Sequence, residues 1–110
     1  MNKYRNKKIV IDGIKFDSIA EGRRYKELKI LEKGNYITDL KLQPKFELQA
    51  KFTNAKGECV RAVTYKADFS YIENGKIIVE DVKGVITKEF AIKKKLFEYK
   101  YKDVEFRLIK

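Results

Sequence analysis

Histidine is absent from the chain, and cysteine occurs once, at Cys59. These shortages exclude mechanisms that need an imidazole, any disulfide within the chain, and zinc sites built from the usual nitrogen and sulfur ligands. A metal ion here would have to be held by oxygen. Long apolar runs are missing too: no window approaches the roughly eighteen apolar residues of a membrane-spanning helix. The opening "MNKYRNKK" has no apolar run behind it of signal-peptide length. The expectation is a soluble, cytoplasmic protein with no membrane partner. Linkers, internal repeats and low-complexity segments are also lacking. A chain of 110 residues, 44% hydrophobic and 13% aromatic, is therefore expected to form one compact domain.

What is abundant is positive charge. Lys and Arg number 26 against 16 Asp and Glu, a net of +10, and a field of one sign on so small a surface points to a polyanionic partner. No long basic amphipathic helix with a wide apolar face directs that charge toward a membrane.

Local patterns predict the elements. In "KKIVIDGIKFDS", Asp12 and Gly13 form a two-residue turn that pairs Ile11 with Ile14 and Ile9 with Phe16. Ser18 fits an N-cap, and about Ile19 to Lys33 reads as an amphipathic helix with Ala20, Leu28 and Leu31 on one side and Gly34 and Asn35 as its stop. After a short extended piece and Pro44, a strand runs through Phe46, Leu48, Ala50 and Phe52. "TNAKGE" turns the chain, and about Cys59 to Ile72 returns antiparallel as a second strand. Asn74 and Gly75 then lead into a third strand through Lys83. Phe90, Phe97 and Tyr101 mark a second helix from Thr87 to about Lys100, followed by a strand at Val104 to Ile109 parallel to the third. Tyr65, Tyr71, Tyr99 and Tyr101 read as core or sheet packing.

A type I′ turn at Asn74 and Gly75 pairs Ile72 with Ile77 and Ser70 with Val79, and by extension sets Asp68 opposite Asp81. Directly opposite carboxylates have Cβ atoms roughly 5 Å apart and repel. Strand alternation puts Lys83 on the face of Asp81 and sends Glu80 to the other face, beside Phe69. Two carboxylates and a lysine on one face suit metal-assisted phosphodiester hydrolysis. The carboxylates bind a hard divalent cation, and the lysine holds a water or the developing phosphate charge.

An Asp near the end of one strand, followed by Asp-x-Lys on its hairpin partner, resembles the signature of the PD-(D/E)XK nuclease superfamily. "FDSIAEGRRYKEL", "LQPKFEL" and "YKADFSYIENGKIIVEDVKG", in that order, resemble small phage-encoded members. Ala67 stands where the motif's name has proline, a residue without a catalytic role in that superfamily. The resemblance implies a single-domain α/β fold with a mixed central sheet. It consists of an αβββαβ restriction-endonuclease-like core over residues 18–110, preceded by an N-terminal arm and β-hairpin over 1–17.

The resemblance further implies a Mg²⁺-dependent DNA endonuclease, with Mn²⁺ able to substitute. Asp68, Asp81 and the Val82 backbone carbonyl would hold the metal, Lys83 would assist the attacking water, and Glu21 would be a further catalytic carboxylate on the first helix. Glu21 also completes the Ser18-x-x-Glu21 spacing of a capping box, which would explain it without catalysis. A helical wheel nevertheless turns it to the core side, about 20° from Leu28. Arg23, Arg24, Lys26 and Lys29 on the first helix, Lys88, Lys93, Lys94 and Lys95 on the second, and the "NKYRNKK" arm are expected to contact phosphates. With little chain for a sequence-reading domain, the expected substrate is branched DNA or a Holliday junction in phage replication or recombination, cut by a homodimer in the host cytoplasm. The alternative is a nucleic-acid-binding module on the same fold without turnover.

Overall fold

The computed structural model describes residues 7–110, so residues 2–6 of the basic arm lie outside the described residues. Local turn and cap chemistry sets the frame. Asp12 and Gly13, with φ of 54° and 76°, join β1 (Ile9–Ile11) to β2 (Ile14–Phe16) in the expected register. Ser18 caps α1 (Ile19–Lys33), its Oγ accepting from the Glu21 N–H at 3.1 Å. The hairpin is fastened to α1 by the Tyr25 hydroxyl, which donates to Asp12 Oδ2 at 2.9 Å. Gly22 makes that approach feasible, since a Cβ there would stand 2.9 Å from Ile11 Cδ1. The buried stripe of α1 is Glu21, Gly22, Tyr25 and Leu28. Ala20, expected on the core side, lies off this stripe and is exposed.

The central sheet is mixed. Its order is β10 (Glu105–Ile109), β9 (Lys76–Val82), β8 (Phe69–Glu73), β3 (Thr38–Leu42). β8 and β9 are joined through Asn74 and Gly75, both at positive φ, with Ile72 opposite Ile77, Ser70 opposite Val79 and Phe69 opposite Glu80. α2 (Lys88–Lys100), capped by Thr87 Oγ1, carries the chain to β10, which runs parallel to β9 as expected.

The strand expected to run unbroken from about Cys59 to Ile72 is interrupted and bent, and the one expected through Phe46 to Phe52 pauses between Gln49 and Phe52. β3 continues past a break into β4 (Lys45–Gln49) and β5 (Phe52–Thr53), and β6 (Cys59–Val60) and β7 (Val63–Lys66) return alongside toward β8. The short piece before Pro44 is therefore itself a strand of the central sheet, while the segment after it leaves that sheet as a two-stranded arm. The cause is local: Gln43 has φ of 51° and Pro44 offers no N–H. Crossed backbone bonds hold the bend, Gln43 N–H to Asp68 O at 2.9 Å and Ala67 N–H to Pro44 O at 3.0 Å.

Each face of the sheet has its own core. Phe16, Tyr25, Leu28, Ile37, Phe69, Tyr71 and Ile78 fill the α1 side, and Tyr65, Ala67, Val79, Phe90 and Phe97 the α2 side. Tyr99, expected to pack, is instead exposed, because it lies on α2 away from Phe90 and Phe97. Among the described residues no helix is long and apolar enough to cross a membrane.

Candidate active site

The bend that redirects the arm also places Asp68. It lies just beyond β8, with its N–H on Glu80 O at 3.1 Å, and its Oδ2 accepts from the Val82 N–H at 2.7 Å. Asp81, on β9, is 2% exposed, and the buried Tyr65 hydroxyl donates to its Oδ2. The two carboxylates are brought together as the hairpin register implied. Burial, followed by a hydrogen bond with Asp81, pushes the Asp68 carboxyl up to about 8, against the opposing pull of the Val82 N–H. The direction favours the protonated form of Asp68, and a cation bound beside it would oppose that shift.

Lys83 is the nearest cation. Its Nζ is 3.8 Å from Asp81 Oδ2 and 4.8 Å from the centroid of the Phe90 ring, while its N–H continues the parallel ladder onto Ile109 O at 2.9 Å. At that distance, with the side chain one-third exposed, the ammonium lies at the rim of the carboxylate pair. Beside it a concavity of about 320 Å³ is lined by Tyr65, Lys66, Lys83, Thr87, Glu89, Phe90 and Lys93. Three lysines and the N-terminus of α2 border it, a combination suited to an anion.

Glu21 approaches from α1. It is 6% exposed, and its Oε2 is buried without a hydrogen-bond partner. Burial raises its pKa, helped by the charges of Asp17 and Asp81, while Gln43 and Lys66 pull it back. An orphaned carboxylate oxygen within reach of the Asp81 charge exceeds what a capping residue requires. Among the described residues, no three His, Cys, Asp and Glu side chains gather into a ready-made metal cage. Protein oxygens here could fill only part of a coordination sphere, which is the habit of Mg²⁺: one or two carboxylates, with water and phosphate completing the octahedron.

Glu80 belongs to the opposite face, as alternation required. It is fully buried, and Arg24 grips it with Nε to Oε1 at 2.8 Å and Nη2 to Oε2 at 2.5 Å, while the Tyr71 hydroxyl also donates to Oε2. This corrects the assignment of Arg24 as a phosphate contact, because its guanidinium is committed to Glu80 and Glu27. Lys29 reaches Glu32, Lys93 reaches Glu89 and Lys94 reaches Glu98, whereas Arg23, Lys88 and Lys95 are exposed. Sequence reasoning missed the role of Tyr65. A buried phenol must place its hydroxyl somewhere, and that requirement was the available signal.

Fold and site together define a small α/β protein with a mixed sheet, two helices and a buried carboxylate pair at a sheet end. The chain matches, over residues 1–110, the family described as "Protein of unknown function (DUF1064)", and it belongs to that family. Compared with curated proteins and with solved structures, it finds no match.

Proposed function

We propose that the protein is a metal-dependent DNA endonuclease of the PD-(D/E)XK type, hydrolysing phosphodiester bonds. The observation that carries this reading is the Asp68–Asp81 pair. Two adjacent carboxylates are buried together, with the Asp68 pKa pushed up to about 8 and a lysine two residues beyond Asp81, and a bound cation would let both carboxylates ionise. Reading β3 with β4 as one bent strand and β7 with β8 as the next, the order α1, these two, β9, α2, β10 supports an αβββαβ restriction-endonuclease-like core.

Asp68 and Asp81 would hold Mg²⁺ or Mn²⁺. In an extended strand a residue's N–H and C=O point to the same side, so the Val82 carbonyl, beside the N–H bonded to Asp68, is a third oxygen. The bound ion would supply Lewis-acid polarisation of the phosphate and acidification of a water. The protein's groups do the rest. The Val82 N–H and the Tyr65 hydroxyl fix the two carboxylates. Lys83 presents donors to the attacking water or to the phosphate oxygens, and Lys66 and Lys93 hold the neighbouring phosphate in the concavity. Glu21, with its raised pKa and free oxygen, orients the water and accepts its proton.

Contacts of this kind recognise backbone shape rather than base sequence. This favours branched DNA or a Holliday junction in phage replication or recombination, cut by a homodimer. A non-catalytic nucleic-acid-binding module is the second reading, favoured by the same raised Asp68 pKa, since a protonated carboxyl lets the pair fold without any ion. Cleavage separates the two readings. With Mg²⁺ or Mn²⁺ the wild type should cut supercoiled or branched DNA, and Asp81→Asn should bind it without cutting. Intact linear, supercoiled and branched substrates after prolonged incubation with wild type would end the endonuclease reading.

A further inference from the structure

The arm that leaves the sheet at Pro44 carries cations whose balance differs from that of the helices. Residues 45–66 include Lys45, Lys51, Lys56, Arg61 and Lys66 against only Glu47 and Glu58. Glu47 is engaged by Lys100 at 3.4 Å and Glu58 by the Asn54 side-chain amide at 2.8 Å. Among the described residues none of the five arm cations forms an ion pair, whereas lysines of both helices pair with carboxylates of their own helix. Lys45 and Lys66 stand directly opposite each other in the β4–β7 ladder. Both are exposed, while their neighbours Phe46 and Tyr65 pack toward α2. Like charges held opposite in a ladder destabilise it, and a row of opposite charge laid along it would relieve that repulsion.

We propose that this arm grips duplex DNA, its lysine-bearing face lying along the phosphate backbone and extending the contact outward from the carboxylate pair. The proposal rests on the reading of DNA as substrate, and it adds where the duplex lies. Lys66 joins the two regions, since it lines the concavity with Lys83 and Tyr65, which both reach Asp81, and its charge is felt by Glu21. From Lys45 to Phe52 the arm runs roughly 23 Å at the rise of an extended strand, enough to follow about seven base pairs. Near its tip Phe52 is half-exposed and offers an apolar surface to sugars or bases among the cations.

The test is duplex binding as a function of salt, in EDTA so that no cutting intervenes. Lys45→Ala/Arg61→Ala/Lys66→Ala should lose about two to three units from the slope of log K against log salt, and at least about tenfold in affinity at 0.1 M salt. Lys15→Ala/Lys33→Ala/Lys102→Ala removes the same charge elsewhere and should change the slope by less than about one unit. Lys45→Arg/Lys66→Arg should bind like wild type, which separates lost phosphate contact from a damaged ladder. Equal losses in the two triple variants, or an arm variant that binds like wild type, would overturn the proposal. Binding without cleavage by wild type would remove the endonuclease reading and leave the arm intact. Cleavage by wild type with an arm variant that binds normally would do the reverse.

Discussion

Glu80 and Asp81 are consecutive on β9, both carboxylates and both buried, yet their surroundings are opposite in kind. On the α1 face Glu80 has a bidentate guanidinium and a phenol, enough to satisfy both its oxygens. On the α2 face Asp81 has another carboxylate for a neighbour, a phenol, and a lysine at 3.8 Å. Structural burial of a charge demands a partner, and Glu80 shows how this chain provides one when the role is structural. Asp81 has only that single lysine at the rim of the site, and the difference is the reason for proposing a bound cation there.

The contrast can be broken at either residue. Asp81→Asn should abolish cleavage, by about a thousandfold or more, while leaving the metal-free protein folded with a Tm close to wild type, because the amide can still hydrogen-bond Asp68 and accept from the Tyr65 hydroxyl. Circular dichroism melts beside a plasmid-nicking assay would show this. Glu80→Ala should do the opposite first: it strands Arg24 in a largely buried site and costs about 3 kcal/mol of stability, read from urea unfolding, with activity falling only as the protein unfolds. A Glu80→Ala variant as stable as wild type would contradict the structural role.

Much of this contrast was legible in the sequence, because it follows from local chemistry. Asp12-Gly13 and Asn74-Gly75 fix their turns, Ser18 and Thr87 cap their helices, and period-two alternation then separates Glu80 from Asp81. What could not be read are contacts between distant segments. The Arg24–Glu80 clamp joins residues 56 positions apart, and nothing in "EGRRYKEL" distinguishes Arg24 from Arg23. The paired bend at Gln43–Pro44 and Ala67–Asp68 needs two strands to deform together. Pro44 marked one side of it, but the side carrying Asp68 read as uninterrupted strand.

Smaller effects sharpen the comparison. Lys83→Ala should lower turnover about a hundredfold while leaving Mg²⁺ affinity within a few fold of wild type, since in the proposed mechanism the ammonium would serve water or phosphate rather than the ion. Single-turnover kinetics with a metal titration would check it. The pH dependence is gentler. The Asp68 carboxyl is raised in the fold to about 8 from an unfolded value of about 3.9. Its contribution to stability is therefore complete below the unfolded value and is lost as pH climbs to about 8. In EDTA, the Tm of wild type relative to Asp68→Asn should fall by about 5 °C or more between pH 5 and 9. Millimolar Mg²⁺ should flatten that difference by replacing the proton.

The most direct test of the cation assignment is calorimetric titration of Mg²⁺ at pH 7 in two buffers of different ionisation enthalpy. The account predicts binding by wild type with release of about one proton, from the carboxylate pair, and no binding by Asp81→Asn. Wild type that takes up no Mg²⁺ at millimolar concentration, or Asp81→Asn that binds it as well as wild type, would contradict the account.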